Sequence, residues 1–452
     1  MSLATAFRSI AFFVATGFFI AAEMVASAPA DDFVVSPVDD QIKVSTADWP
    51  WWRGPYRNGY AVADQDPPQA WSDNDQGQSN IVWKVPVPGR GHASPIVVGE
   101  SVYLATADRE RDVQTVLSFD RGTGELNWEK VIHRGGLMKK NKKASQASST
   151  LAWDGERLFV SFLNDGGVYT TALTSAGEQI WQARISDYVI HQGYAASPNV
   201  YQHLVILNAD NKGGGAIVAL ERATGKEVWR QARPKIPNYP SPVILNVAGK
   251  DQMIMIGGEL VSSFDPLTGA KNWEIAGATQ ECVTSTVTDG VHIFSSGGWP
   301  ENHVAAIKAD GTGEVVWQNR SRVYVPSMLM REGHLFAVLD AGVAVCWKSD
   351  TGQEIWKARL GGDFSSSPVM VGELIFATNE VGETYIYEAS AEQFRLVAKN
   401  RLGDSVFATP AICGGRIYHR VAFQEGEKRQ EYLYCIGDTP AQLPAAIETP
   451  SN

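Results

Sequence analysis

The chain has 452 residues, 44% of them hydrophobic and 20% charged, with a formal net charge of −11. An acidic surface repels phosphate backbones, so nucleic acid is excluded as an expected partner. Four cysteines in so long a chain exclude a disulfide framework, and 42 glycines with 14 tryptophans point to many short strands joined by tight turns.

The first segment reads as an export signal. Arg8 precedes a short apolar run, residues 10–22 (IAFFVATGFFIAA), and the small residues Ala26, Ser27, Ala28 and Ala30 follow. The run is short of the roughly 20 residues that span a bilayer, so cleavage near Ala30 and a periplasmic or secreted product are expected. Residues 31–47 read as a linker. No later run is apolar and long enough to cross a membrane, so the mature chain carries no expected transmembrane segment. No cysteine lies near the cleavage site to take a bacterial-type lipid anchor.

Residues 48–55 concentrate Trp49, Trp51 and Trp52 around Arg53. This cluster is expected to seal one face of the following domain; a sugar platform is the alternative. An isolated strand with Trp83 (NIVWKVPV, 80–87) comes next, with no strand before it to pair with. From there a repeat takes over. A glycine stands four residues before a tryptophan in Gly124/Trp128, Gly177/Trp181, Gly225/Trp229, Gly269/Trp273, Gly313/Trp317 and Gly352/Trp356. A threonine precedes the glycine in all but the second, and Asp120, Glu221 and Asp265 stand three before the threonine. An acidic side chain and a threonine bond backbone groups in a turn, the glycine takes positive φ, and the next strand carries its indole on a fixed face.

A second marker falls in each interval. It is a small-residue strand start: Ser94-Pro95, Ser148-Ser149, Ser197-Pro198, Ser241-Pro242, Ser285-Thr286, Pro326-Ser327, Ser367-Pro368 and Thr409-Pro410. An apolar run, a glycine turn and a second strand follow most of them. Each unit therefore supplies four strands, the blade of a β-propeller. The small residues suit the crowded axis, and the tryptophans suit the widening gap between outer strands. The seventh unit is degenerate, with Val397 near the expected tryptophan. Residues 408–412, 416–421 and 431–436 give three more strands and no fourth. Joining them to the Trp83 strand closes an all-β, eight-bladed propeller over 48–437, followed by a disordered tail at 438–452.

Residues 219–229 (ALERATGKEVW) and 118–128 (SFDRGTGELNW) resemble the tryptophan docking motif of the quinoprotein alcohol dehydrogenases. Residues 48–55 look like the N-terminal WPxWRGP-type signature of PQQ-like β-propeller repeat proteins. The resemblance implies that Trp83, Trp128, Trp181, Trp229, Trp273, Trp317 and Trp356 are structural and pack between blades. The dehydrogenases hold pyrroloquinoline quinone and calcium in the channel, beside adjacent cysteines. Here Cys282, Cys346, Cys413 and Cys435 are never adjacent, and Glu301 with Asn302 lack the family's surrounding pattern. No catalytic residue, metal ligand or cofactor is therefore expected. The spacings of c-type haem and zinc sites are missing too.

Candidate ligand contacts come from propeller geometry, in loops that enter the inner strands on one face: Arg90 and His92, His191 and Tyr194, Tyr239, Glu281, Arg322 and Tyr324, Asp363 and Phe364, and Phe407. Trp299 joins them from a middle-strand loop. Lys139, Lys140, Lys142 and Lys143 read as a solvated loop. The expectation is an exported, non-catalytic, monomeric scaffold binding a protein, a peptide or a small polar ligand, similar in layout to the outer-membrane assembly propeller lipoprotein. A PQQ- and calcium-dependent dehydrogenase of alcohols, of the polyvinyl-alcohol type, and a carbohydrate-binding propeller are the alternatives.

Overall fold

The computed structural model describes residues 37–74, 77–138, 141–426 and 428–438. The signal segment, residues 31–36 of the linker and residues 439–452 lie outside the described residues; residues 37–47 correct the linker reading, since Val38, Ile42 and Val44 are buried in the apolar clusters of the ring. The repeat's turn forms as its side chains require. Asp120 Oδ1 accepts the backbone N–H of Gly122 and Thr123 and the Thr123 hydroxyl, and Asp265 Oδ1 does the same for Leu267 and Thr268. Gly225 then takes φ +74°, and a Cβ there would lie 2.6 Å from the Trp181 ring. Glycine is needed for the dihedral and for the ring's close approach.

Among the described residues there is no helix, and eight four-stranded antiparallel sheets succeed one another in chain order. Blades 1 to 7 span residues 96–134, 152–187, 199–232, 243–276, 287–319, 329–359 and 369–401. Blade 8 combines Ala411–Cys413, Arg416–Glu425 and Lys428–Ile436 with Ile81–Val87 as its outer strand. Trp83 there pairs with Cys435. The ring is thus an eight-bladed β-propeller closed by both ends of the chain. A two-stranded hairpin, Ser72–Asn74 with Gly77–Ser79, sits outside the ring's sheets.

The indoles wedge between sheets. Trp83, Trp128, Trp181, Trp229, Trp317 and Trp356 each donate Nε1–H to a backbone carbonyl of the next blade: Arg121, Ser175, Arg222, Pro266, Ser349 and Ser390. Trp273 departs from this. Its Nε1 donates to Gln252 Oε1 in its own blade, and Gln252 Nε2 passes the bond on to Ala309 O of blade 5. Beside Gly313 it is Ile275, not the indole, that sits closest. The cause is local: in blade 5 the acidic residue of the turn has moved one place, to Asp310, and a second glycine, Gly311, enters.

The degenerate blade 7 is repaired in two places. Trp356 packs on Phe394 and Tyr387, with ring centroids 5.7 and 6.5 Å away. Between blades 7 and 8 the buried Trp71 joins the shared apolar cluster, its backbone N–H donating to Asn400 Oδ1.

At the axis the small-residue markers form a ring of their own. The N–H of Thr409, Ser94, Thr150, Ser197, Ser285, Ser327 and Ser367 each donates to the hydroxyl of the next blade's marker, at 2.8–3.1 Å. In blade 2 the position belongs to Thr150, two residues past the expected Ser148. Seven buried N–H groups on the crowded inner strands are satisfied this way without bulky side chains. From Ser241 to Ser285 the pattern breaks: Ser285 Oγ accepts the Trp52 indole N–H at 2.8 Å.

That indole belongs to a plug. Residues 48–61 cross one end of the propeller. Trp49 pairs with Val97 of blade 1, Pro50 O accepts from Trp153 of blade 2, and Tyr60 pairs with Met370 of blade 7. Arg53 donates to Pro368 O, Asn58 O and Met328 O, reaching blades 6 and 7. Its burial pulls the guanidinium pKa down to about 9. Arg57, also buried, pairs with Asp40 at 2.7 Å and lies 4.0 Å over the Trp51 ring. Trp49 and Trp51 are buried, so they seal this face and offer no sugar platform.

Blade 8 also buries His419, whose Nε2 finds no partner. Burial lowers its pKa from 6.5 to about 4, a little offset by Ala408. The unfolded chain therefore binds this proton first. The neutral imidazole's contribution is complete above pH 6.5 and is lost as pH falls through 4, by up to about 3 kcal/mol. His419→Leu is expected to flatten the decline in unfolding midpoint over that window. An unchanged acid slope would assign the decline to other groups.

Candidate functional site

The channel opposite the plug is a one-ended cavity of about 370 Å³. Trp52 is its floor and the marker serines and threonines encircle it. Tyr194, Tyr239, Tyr324 and the stacked pair His92–Phe407 make the wall, the last two with centroids 4.4 Å apart and planes 15° apart. Two loops lean over the mouth, the connections from blade 1 to 2 and from blade 2 to 3. They are tied together where Asn141 donates its N–H to Gln192 O and its Nδ2 to Gln192 Oε1.

Two polar straps cross the rim. On one side His191 Nε2 lies 3.1 Å from Glu281 Oε1, while Tyr324 Oη donates to Glu281 Oε2 at 3.1 Å. Burial, with Glu281 behind it, pushes the Tyr324 and Tyr239 phenols well above their ordinary pKa. They therefore stay protonated: Tyr324 donates to Glu281, and the Tyr239 hydroxyl is left with a proton to donate. On the other side Lys143 Nζ reaches Glu380 at 3.1 Å and Asp363 at 3.7 Å. Burial alone would lower the Lys143 pKa, but the two carboxylates outweigh it and raise it.

The structure gathers most of the residues read from the sequence. His92, Tyr194, Tyr239, Tyr324 and Phe407 line the cavity. Arg90 stands over Phe407 and donates to Lys142 O, Arg322 lies over the Tyr324 ring, and Asp363 faces Lys143. Glu281 is covered, with its carboxylate engaged as above. Trp299 is 54% exposed on the outer rim, its carbonyl accepting from Glu281 N–H. Phe364 is a correction: it is buried in the apolar core shared by blades 6 and 7, against Tyr385, because its side chain turns between sheets. Trp52 and Glu380 were not expected here. Trp52 is hidden in the plug's sequence, and Glu380 sits in a short turn with no distinguishing pattern.

The residues do not fit a calcium–quinone pair. Calcium takes six to eight oxygens, and among the described residues no three His, Cys, Asp or Glu side chains converge on one point. The four cysteines are unpaired and buried. Burial raises Cys346 and Cys413 to about 12 and Cys435 to about 11, so they rest as thiols within the scaffold.

Ring, docking indoles and channel together define a β-propeller of the quinoprotein type. The chain belongs to the family described as outer membrane protein assembly factor BamB, whose model matches residues 48–137, 113–292 and 300–393. The outer membrane protein assembly factor BamB of Bordetella pertussis is 24% identical over 339 residues, 71% of this chain and 78% of that one. Two solved structures share the fold. A europium-containing methanol dehydrogenase superposes with a TM-score of 0.61 at 11% identity, covering 84% of this chain and 90% of its own. BamB from Moraxella catarrhalis gives 0.53 at 13% identity, covering 78% and 96%. Among the described residues no helix is long and apolar enough to cross a membrane.

Proposed function

We propose that this protein is an exported, non-catalytic scaffold that binds a protein or peptide partner at the open mouth and serves outer membrane protein assembly, without quinone or metal. One observation carries the reading. The cavity is closed at one end, walled by protonated phenols and stacked rings, and brings together no metal-ligand set. Such a site offers contact area and hydrogen bonds, not redox chemistry. Membership of an assembly-factor family agrees with it, and export after cleavage near Ala30 belongs to the same reading.

Two measurements test it. The mature chain mixed with pyrroloquinoline quinone and calcium is expected to show neither bound-cofactor absorbance nor dye-linked oxidation of alcohols. Stoichiometric cofactor with turnover would overturn the proposal. A photo-crosslinking residue at the exposed Trp299 is expected to capture an assembly component from the cell envelope. One placed at exposed Leu126, on an outer strand, is expected to capture none. Equal capture from both places would remove the mouth as the binding surface.

A further inference from the structure

We propose that the mouth receives a basic side chain, lysine or arginine, of a partner polypeptide, and that Lys143 holds this place as an internal substitute until the partner displaces it. The inference rests on the peptide-binding reading above and names the group that enters.

The acceptor is built and the donor is loose. Glu380 is held from several sides: Ser365 Oγ donates to Oε1 at 2.7 Å, its N–H donates to Asp363 O, and its own carbonyl accepts from Val406 N–H. Its side chain is 16% exposed. Lys143 is 65% exposed at the end of a long stem, on the loop that leans across from the blade 1–2 connection. It reaches Glu380 of blade 7 and Asp363 just ahead of that blade. An ion pair this exposed is worth little, so a second cation of the same shape can exchange with it. The neighbourhood favours a cation: Asp363 lies beside Glu380, and Glu281 closes the opposite rim.

A second feature points to a polypeptide and not to a bare amine. Tyr239 lines the cavity and is 7% exposed, and its buried Oη, beside the Gln192 backbone N–H, donates to no acceptor of the protein. A buried hydroxyl is ordinarily satisfied, and a backbone carbonyl of the occupant would accept from it while the basic side chain meets Glu380.

The test uses the whole mature protein and an end-blocked, fluorescein-labelled glycine–serine heptapeptide with one central lysine. A matched peptide carries norleucine at that place. Anisotropy is expected to show weak binding of the lysine peptide to the native protein. Lys143→Met keeps the stem and removes the charge, and should bind it about two- to sixfold more tightly, the gain from vacating an exposed ion pair. Glu380→Gln should cancel the gain, weakening binding about two- to sixfold in the Lys143→Met background. The norleucine peptide should bind none of them better than the native protein binds lysine. Unchanged or weaker binding by Lys143→Met, or equal binding of the two peptides, would overturn the proposal. Failure of the parent reading looks different. If envelope capture at the mouth persists in Glu380→Gln, the scaffold stands and the basic group does not. If the lysine peptide behaves as expected while capture fails, the site stands without that partner.

Discussion

Glu431→Gln is expected to cost about 3–5 kcal/mol of stability, read as a fall in the urea unfolding midpoint. Arg420 and Glu431 are 2% and 1% exposed, where blade 8 meets blade 1. Arg420 Nε donates to Glu431 Oε2 at 2.6 Å, its Nη1 to Ala105 O at 2.7 Å, and its Nη2 to Thr106 Oγ1 at 3.1 Å. Gly91 N–H and Arg429 fill the remaining acceptor sites of the carboxylate. Removing the negative charge strands a guanidinium whose pKa burial already lowers. Replacing both partners by apolar groups, Arg420→Met with Glu431→Leu, removes the stranded charge and is expected to recover most of the loss. A single-variant loss under about 1 kcal/mol would show that water reaches the pair and that it does not secure the closure.

Trp317→Ala should lose about 3–5 kcal/mol, through the emptied wedge between blades 5 and 6. Gly352→Ala attacks the same junction from the facing side. Its φ is +68°, and the added methyl would stand 2.5 Å from the indole. The crowding costs about 1–3 kcal/mol and the left-handed dihedral about 1–2 more. In the double variant the methyl has room, so only the dihedral cost should remain and the two losses should fall short of their sum. Strict additivity in thermal midpoints would mean that indole and glycine do not touch in solution.

The fold was legible because its two markers each answer a steric demand that recurs once per blade. A glycine that admits an indole and a small residue at the axis leave a period in the sequence. The repairs were not legible, since each is made once. Trp71 fills the gap after blade 7 from a distant stretch of chain, and Gln252 relays for Trp273 because its turn is built differently. The mouth was half legible. Loops that enter inner strands had to converge, so His92, Tyr239, Tyr324 and Phe407 could be found from topology alone. Which rings face inward could not, as Phe364 shows: one residue after Asp363, it turns the other way. Glu380 and Trp52 carry no signal, because their roles depend on partners hundreds of positions away.

The pairing of Trp83 with Cys435 has a consequence for biogenesis. A ribosome releases Ile81–Val87 long before Lys428–Ile436 exists, so the earliest strand of the ring waits for the last. Blades can take shape during synthesis, but the circle cannot shut until the polypeptide is finished. A product cut short before residue 428 would leave blade 1 with a bare flank and Arg420 without its carboxylate, and proteases would meet an open edge.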